Sequence, residues 1–281
     1  MIGFIARRIR KSKAKRTFRE YGFEVRSFHL PSYGCVRYAH WLHPSEGPKA
    51  ITEDAVASLR EFIREGDTVI DVGAHTGDTT LPMAIAAGAS GCTLALEPNP
   101  YVFRILEENA RLNPGLANIV PLNFAATEAD GRFTFHYSDA SYCNGGYLSQ
   151  IRHRKHKHRY PLEVQGRNLE RFLRREYAER LGRLSYIKTD TEGYDKEVIR
   201  SLLGILREFR PILVTEVYKR LIREEREALF DVLGEAGYVC FRHLGDARPQ
   251  GEQIRREDMM RWRQFDILAL PREDASAPGT T

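Results

Sequence analysis

The stretch Thr68-Val-Ile-Asp-Val-Gly-Ala-His-Thr-Gly77 decides the fold, because it predicts a short buried strand followed by a two-glycine turn. Its β-branched residues are typical of a parallel strand that is covered on both faces. Gly73 and Gly77 allow the backbone to turn tightly and to approach a ligand without an intervening Cβ. The dinucleotide-binding fingerprint G-x-G-x-x-G has a further glycine in the middle, which this turn lacks.

Two acidic residues at predicted strand ends indicate which nucleotide the turn binds. Asp71 would place a negative charge beside a pyrophosphate, which is unfavourable in a site of reduced dielectric. The apolar run 93–96 ends on Glu97, the position of an acid that accepts ribose hydroxyls. This pair fits S-adenosylmethionine, whose sulfonium and ammonium groups are positive and which has no phosphate. A glycine cap with a surface glutamate is the alternative, and two such elements in register make it the weaker one.

Strands alternate with helices, which predicts an α/β fold with a doubly wound, mostly parallel sheet and helices on both faces. The strands predicted after the glycine turn are 93–96, 119–124, 184–189, 212–215, 238–241 and 265–270. The predicted helices are 52–65, 77–88, 100–112, 169–181, one through Leu202, and 222–236. Two further strands, 132–137 and 162–165, are expected to pair as a β-hairpin insertion.

Two local features refine the expected nucleotide site. Asn99 precedes Pro100, which predicts a helix that Asn99 caps and that has proline at its first position. Ala125 and Ala126 follow the third strand, where an adenine ring would need room. Simple close packing explains these two alanines equally well.

The composition is that of an ordinary water-soluble domain. The chain has 281 residues, of which 42% are hydrophobic and 29% charged, and no apolar run approaches the ~20 residues of a membrane span. The first residues are too short for a signal peptide. The four cysteines form no C-x-x-C pair and indicate neither a zinc site nor a disulfide scaffold. We therefore expect a cytoplasmic protein, and the sequence does not predict its oligomeric state.

Basic residues cluster in residues 1–20 and in the run 152–159. A solvated charged face is the favoured explanation for both. Residues 1–20 also have interleaved apolar residues, as an amphipathic helix resting on an anionic membrane would. The run 152–159 contains three histidines, a weak signal for a metal, and it could also bind an acidic substrate. Nucleic acid is not expected, because no aromatic-interleaved recognition motif accompanies either cluster.

Methyl transfer to a hydroxyl requires an in-line acceptor and a base that takes its proton. Asp190 and Glu192 are the candidates, since both follow a predicted strand. If residues 190–192 stay extended, the two side chains share one face and act as base and orienter, or together bind a divalent ion. Glu192 could instead satisfy N–H groups at the start of the next helix. His75 could reach a substrate, although histidines in turns more often face solvent.

Three motifs in this order and spacing resemble the FkbM family of S-adenosylmethionine-dependent methyltransferases. They are Val69-Ile-Asp-Val-Gly-Ala-His-Thr-Gly77, Leu96-Glu-Pro-Asn-Pro100 and Ile187-Lys-Thr-Asp-Thr-Glu-Gly193, and the resemblance covers about residues 50–243. It implies a class I methyltransferase fold, here residues 49–271, after a basic extension (1–48) and before a disordered tail (272–281). It also implies O-methylation of a small-molecule or glycolipid hydroxyl, on a sugar, glycolipid or polyketide.

The resemblance also implies site residues. It places Asp71, Gly73, Gly77 and Glu97 at the cofactor, and the sequence itself adds His75, Asn99 and Ala125. By the resemblance Asp190 and Glu192 would face the acceptor and Asn144 would help to bind it. Glu216 is added as a further substrate residue because it also follows a predicted strand; no metal site is predicted, although a divalent ion is compatible. His75 stands where the family often has Asn, and Thr191 where it has an apolar residue, so the acceptor side differs. The basic run after the Asn144-Gly-Gly146 motif is not typical of the family.

Two other functions are compatible with these features. A non-catalytic nucleotide-binding protein could use the basic segments to bind nucleic acid or anionic lipid. An NAD-dependent oxidoreductase is the third candidate, against which the missing middle glycine and Asp71 both count.

Overall fold

The computed structural model describes residues 12, 13, 15–143, 147, 148, 160–245 and 250–272. Several sequence-based predictions therefore lie outside the described residues. They concern Asn144, the basic run 152–159, residues 1–11 of the segment predicted to rest on a membrane, and the tail from residue 273 onward.

The centre of the molecule is an eight-stranded sheet. Its strands are β3 (Thr68–Val72), β4 (Cys92–Leu96), β5 (Ile119–Leu122), β10 (Leu184–Thr189), β11 (Ile212–Val217), β12 (Tyr238–His243), β13 (Gln250–Gln253) and β14 (Phe265–Pro271). They lie in the order β13-β12-β14-β11-β10-β3-β4-β5. The chain runs outward from β3 through β4 to β5, and then from β10 outward on the other side. This reversal between β3 and β10 creates a crevice at the carboxyl ends of the strands, where open α/β sheets bind ligands.

The helices flank this sheet on both faces. They are α1 (Glu53–Leu59), α2 (Thr80–Ala87), α3 (Pro100–Leu112), α4 (Leu169–Glu176), α5 (Ala178–Leu181), α6 (Asp195–Ser201), α7 (Leu203–Phe209), α8 (Arg223–Glu235) and a 3₁₀ helix (Arg256–Met260). One buried apolar cluster lies between the sheet and helices α4 to α8, and a second lies beneath α1, α2 and α3. A smaller third cluster joins β2 to α3. The predicted doubly wound class I fold is confirmed. Among the described residues, no helix is long and apolar enough to cross a membrane.

The sheet is mixed at one edge, where β14 inserts antiparallel between β11 and β12. The chain between β12 and β14 contains a short strand and one 3₁₀ helix within its described residues, instead of a crossover α-helix. A parallel neighbour needs such a crossover, whereas an antiparallel one does not. The final strand is thus located correctly by the sequence, but alternation alone does not predict its direction.

Most predicted helix boundaries agree with the structure. Asn99 caps α3 by accepting a hydrogen bond from Tyr101 N (3.0 Å), and Pro82 lies in the first turn of α2. Two predictions were too long. The helix predicted at 52–65 ends at Leu59, and the one predicted at 169–181 is divided at Tyr177, whose backbone (φ −131°, ψ 21°) is not helical.

The predicted hairpin insertion is confirmed as part of a second, four-stranded sheet. Strand β7 (Gly131–Tyr137) pairs antiparallel with β9 (Tyr160–Arg167), placing Phe133 opposite Val164. Two short strands, β6 (Ala125–Ala126) and β8 (Tyr147–Leu148), complete this sheet in the order β6-β9-β7-β8. Since β6 directly follows β5, the insertion is anchored beside the carboxyl end of the main sheet.

The sequence analysis missed an N-terminal hairpin of β1 (Phe23–Leu30) and β2 (Gly34–Trp41). Its fixed point is Asn109 of α3, whose side chain accepts from Ala39 N (2.6 Å) and donates to Ala39 O (3.1 Å) and Thr76 O (2.7 Å). Asn109 therefore links the hairpin to α3 and, through Thr76, to the glycine turn. The division of the chain at residue 48 stays a prediction.

Arg226 of α8 holds the antiparallel edge together. Its buried guanidinium donates to five backbone carbonyls, those of Tyr218, Leu221, Met259, Trp262 and Arg263, at 2.6–3.2 Å. These carbonyls belong to the loop after β11 and to the segment before β14. The described residues place no carboxylate on Arg226, so its charge is balanced by carbonyl dipoles alone.

We expect Arg226→Ala to lower the free energy of unfolding by at least about 3 kcal/mol, because five buried carbonyls lose a charged donor. Urea unfolding followed by circular dichroism measures this change. The matched control is Arg223→Ala in the first turn of the same helix, whose exposed ion pair with Glu227 (3.3 Å) contributes about 0.5 kcal/mol or less. Equal losses in the two variants would contradict the structural role of Arg226.

Candidate functional site

A cavity of ≈ 400 Å³ opens at the carboxyl ends of β3, β4 and β10. Its walls come from the glycine turn, the loops after β4 and β10, the insertion, and residues 45–49 after β2. The size lies within the range of ligand pockets, and the position is the crevice where the strand order reverses. Of the predicted site residues, it is lined by Gly73, His75, Glu97, Asn99, Ala125, Asp190 and Glu192.

The glycine turn forms the floor of the cavity. The amides of Gly73 and Ala74 donate to Leu96 O at 3.0 and 2.9 Å, which ties the turn to the end of β4. Gly73 has φ +86°, and a Cβ at this position would overlap the carbonyl oxygen of Asp190. Only glycine fits this close approach. Gly77 (φ +92°) does not line the cavity but completes the turn against Leu106 of α3.

Glu97 lies at the end of β4 with its carboxylate held by two backbone amides. His75 N donates to Oε2 (3.1 Å) and Asn99 N donates to Oε1 (2.8 Å). Burial raises the pKa of Glu97, while the neighbouring His75 and these two amides act in the opposite direction. Each carboxylate oxygen retains acceptor capacity for a further hydrogen bond. Glu97 is therefore an oriented double acceptor, as a vicinal diol requires.

Aromatic and small residues also line the cavity. They are Phe124, Ala125 and Ala126, which follow β5, and Phe135 and Tyr137 of β7. Aromatic side chains together with small residues suit a flat ring. The sequence pointed to Ala125, but it missed the two aromatic residues because they arrive from the insertion.

Asp71 requires a correction, because it does not line the cavity. Its fully buried carboxylate accepts hydrogen bonds from Thr79 Oγ1 (3.0 Å) and Thr80 Oγ1 (2.7 Å). Lys188 Nζ lies 3.7 Å from its other oxygen. Its position at a strand end was predicted correctly, but its side chain points to the start of α2. Asp71 therefore supports the turn from behind.

Lys188 lies in the motif 187–193, and the sequence did not predict its role. Its ammonium lies 3.7 Å from Asp71 and 3.5 Å from Asp190. Burial opposes the positive charge, yet the carboxylates of Asp71, Asp190, Asp78 and Asp266 together raise the pKa of Lys188. The lysine therefore stays protonated and neutralises acids that would otherwise repel one another.

The two candidate catalytic acids lie in the loop after β10. Residues 190–192 do not stay extended as the shared-face argument assumed, because Glu192 adopts a left-handed φ of +56°. Both side chains nevertheless line the cavity. The amides of Thr191 (3.1 Å) and Gly193 (3.2 Å) donate to Asp195, the first residue of α6, so Asp195 orders the loop. The start of α6 has no side-chain cap, so the capping role considered for Glu192 is not filled.

Glu216, predicted to bind substrate, ends β11 outside this cavity. Its Oε1 accepts a hydrogen bond from Gln264 Nε2, and its buried Oε2 has no hydrogen-bond partner among the described residues. Burial and the charge of Asp190 raise the pKa of Glu216. Glu216 therefore contacts Gln264 and is influenced by the charge of Asp190, but it does not line the cavity.

Lys49 forms a charged group at the cavity that was not predicted from the sequence. Lys49 Nζ lies 2.7 Å from Asp78 and 3.6 Å from Glu46, and all three residues line the cavity. No local motif marks this loop, which reaches the site only because the hairpin β1–β2 packs beside α3.

One set of side chains could hold a metal ion. Donor atoms of Glu46, His75 and Cys143 lie within 4.8 Å of one another at the cavity wall. Carboxylate, imidazole and thiolate are ligands that Zn²⁺ accepts. Without an ion, Lys49 lies beside Glu46, and His75 Nε2 lies 3.3 Å from Cys143 O. The neighbouring Asn144 lies outside the described residues.

The stability of the loop after β10 should depend on pH. Burial, followed by the charge of Asp190, raises the pKa of Asp195 to about 7 from 3.8, although hydrogen bonds to Thr189 and Thr191 oppose this change. Since the folded state holds the proton more tightly, the contribution of Asp195 is fully present below pH 3.8. It is lost as the pH rises through 7.

We expect the wild type to lose up to about 4 kcal/mol of unfolding free energy relative to Asp195→Asn between pH 4 and pH 7. Urea unfolding of both proteins at several pH values measures the difference. Two curves that stay parallel over this range would contradict the assigned environment of Asp195.

Comparisons with known proteins match the chain to a family model. A model of the methyltransferase FkbM domain matches residues 71–240, more than half of the chain. Ribosomal protein L11 methyltransferase from Streptococcus pneumoniae (strain P1031) is 33% identical over 73 residues, which cover 26% of this chain and 22% of that protein. The chain therefore spans less than a quarter of this curated relative.

Solved structures show weaker similarity. Methyltransferase FkbM from Methylobacillus flagellatus KT has a TM-score of 0.42 and 13% identity, covering 74% of this chain and 44% of that one. Aeropyrum pernix fibrillarin with natively bound S-adenosyl-L-methionine has a TM-score of 0.43 and 13% identity, covering 90% and 94%. The assignment rests on the domain match, and by that match the chain belongs to the methyltransferase FkbM domain family.

Proposed function

We propose that this chain is an S-adenosylmethionine-dependent O-methyltransferase that acts on a hydroxyl of a sugar, glycolipid or polyketide-type acceptor. The observation that carries the proposal is the carboxylate of Glu97, buried at the end of β4 and oriented by His75 N and Asn99 N. An acceptor pair at this position fits the 2′- and 3′-hydroxyls of a ribose. The aromatic and small residues of the same cavity then receive the adenine.

The charge of the cavity supports a cationic cosubstrate. Its acids are Glu46, Asp78, Glu97, Asp190 and Glu192, and its lysines are Lys49 and Lys188. Both lysines lie within 4 Å of these acids, so neither is a free anion-binding group. A negative cavity attracts a sulfonium and an ammonium, and it disfavours a pyrophosphate.

The cosubstrate supplies an electrophilic methyl group on a positively charged sulfur. The protein then has to hold the acceptor in line and take its proton, because the transfer itself needs no covalent intermediate. Asp190 is placed for the second task. Its side chain is about half exposed (46%) at the cavity wall, and the ammonium of Lys188 lies 3.5 Å from it.

Isothermal titration with S-adenosylhomocysteine, the demethylated product, tests the proposal. We expect micromolar binding to the wild type and none of NAD. Glu97→Ala should weaken binding by about 100-fold, because two hydrogen bonds from the ribose to a charged acceptor are lost. Asp190→Asn should bind as the wild type does, since Asp190 faces the acceptor.

The matched control is Glu179→Ala, which removes an exposed carboxylate of α5 far from the cavity and should not change the affinity. Equal affinity of Glu97→Ala and the wild type would refute the assigned ribose site. If neither S-adenosylhomocysteine nor NAD binds, the non-catalytic function becomes the better explanation.

A further inference from the structure

An open groove of ≈ 1190 Å³ is formed by the N-terminal hairpin and the segment before it. It is lined by Lys13 and residues 17–22, and by Arg26, residues 40–44 and Glu46. Glu46 also lines the cofactor cavity, so the two spaces are neighbours. The proposed methyl transfer assigns no role to this groove.

The groove carries more positive than negative charge. Lys13 and Arg19 are exposed, and neither forms an ion pair with the described residues of the chain. The two acids of the lining, Glu20 and Glu46, each pair with a cation that does not line the groove, at 2.9 and 3.6 Å. The groove therefore keeps its own cations available and favours an anionic ligand.

His40 of β2 presents a buried polar atom to this groove. The residue is only 8% exposed, and its Nδ1 has no hydrogen-bond partner among the described residues. Burial and then the charge of Arg26 lower the pKa of His40, so the imidazole is neutral at pH 7 and has one N–H to donate. A buried polar atom without a partner is costly, so a ligand that bonds to it is stabilising.

Arg26 adds a charged donor beside His40. Its Nε and Nη2 donate to the exposed carboxylate of Glu24, and these bonds leave Nη1 available. A guanidinium and an imidazole N–H at one site suit the oxygens of a phosphate. The groove therefore has the donors of a phosphate site.

Exposed apolar side chains surround the groove. Seven large apolar side chains are exposed in the described part of the chain, and four of them belong to residues 18–42. They are Phe18, Phe23, Val25 and Leu42, each between 40% and 48% exposed. Phe18 and Leu42 line the groove itself, and the other two lie on β1. Single exposed apolar side chains are normal, but a group of them beside cations is typical of a surface that contacts lipid.

We propose that this groove binds the phosphate of an anionic phospholipid and that the N-terminal hairpin docks the protein on an anionic membrane. The phosphate accepts hydrogen bonds from His40 and Arg26, while Phe18 and Leu42 enter the interface between headgroups and acyl chains. A free phosphate or a nucleic acid would leave these apolar side chains uncovered, so the lipid is the better fit. The inference goes beyond the proposed function, because it involves no step of methyl transfer.

Co-sedimentation of the full chain with vesicles tests this inference. Vesicles of phosphatidylcholine alone are compared with vesicles that contain about 30 mol% phosphatidylglycerol. We expect the partition coefficient to be at least about tenfold larger for the anionic vesicles at low salt, and to fall at about 0.5 M NaCl as the charges are screened. Equal binding to both kinds of vesicle would overturn the proposal.

Charge variants separate the groove from the overall charge of the protein. Lys13→Gln with Arg19→Gln should lower partitioning about 10- to 30-fold, because two cations that face the headgroups are lost. The matched control is Arg132→Gln with Arg255→Gln, which removes the same charge at exposed positions outside the groove and should change little. Equal losses in the two double variants would show unspecific attraction and overturn the proposal.

Two further variants test the apolar rim and the phosphate contact. Leu42→Ser should weaken partitioning about fivefold, whereas Leu244→Ser, at a similarly exposed leucine outside the groove, should not. His40→Leu should weaken it at least about fivefold through loss of the donor. An unchanged affinity of His40→Leu, or equal effects at the two leucines, would overturn the groove as the headgroup site.

Two controls assign any failure to one idea. Inorganic phosphate at about 10 mM and constant ionic strength should not release the protein, because it lacks the apolar contact. Release would show that the groove takes a free phosphate, and the membrane assignment would then be wrong. S-adenosylhomocysteine binding is measured on the same proteins. Its absence in the wild type refutes the proposed function and leaves the lipid site standing, and its retention in the variants shows that they are folded.

Discussion

The close approach of Gly73 to the Asp190 carbonyl is the constraint on which the site depends. It brings the turn after β3 against the loop after β10. These two strands are parallel neighbours, and the order of the strands along the chain reverses between them. Asp190 N also donates to Val72 O at 2.9 Å, so the two strand ends are joined by backbone. Because both loops are fixed in this way, the cofactor cavity has one defined shape at this point.

Charge balance at this junction depends on Lys188. Four carboxylates act on its ammonium, and two of them, Asp71 and Asp190, lie within 4 Å. Without the lysine, Asp71 would be a fully buried carboxylate with only hydroxyl donors. A single buried cation thus lies between the acid behind the glycine turn and Asp190 at the cavity wall.

The parts of the site that the sequence predicted are those governed by local rules. Asn99 and Pro100 are a helix start, and Glu97 follows an apolar strand, so their positions relative to the turn were readable from spacing. The orientation of a strand-end side chain is not local, and Asp71 was therefore assigned to the cavity although the hydroxyls of Thr79 and Thr80 hold it behind the turn.

Contributions from distant segments could not be predicted. Lys49 and Tyr137 reach the cavity from the loop after β2 and from the insertion, and nothing in their own neighbourhoods marks them. The direction of β14 depends on a connection without an α-helix in its described part, and its position is fixed by the buried Arg226. Such features follow from tertiary packing, which the pattern of a single segment does not encode.

Two of the four non-glycine residues with left-handed backbone in the described part of the chain line the cavity, His75 (φ +50°) and Glu192 (φ +56°). Such conformations cost roughly 1–3 kcal/mol each and persist only where neighbouring contacts determine them. His75 N donates to Glu97, and Gly193 N, next to Glu192, donates to Asp195. A carboxylate of the cavity therefore holds one strained residue directly, and the first residue of α6 holds the loop of the other, so both are fixed without a ligand.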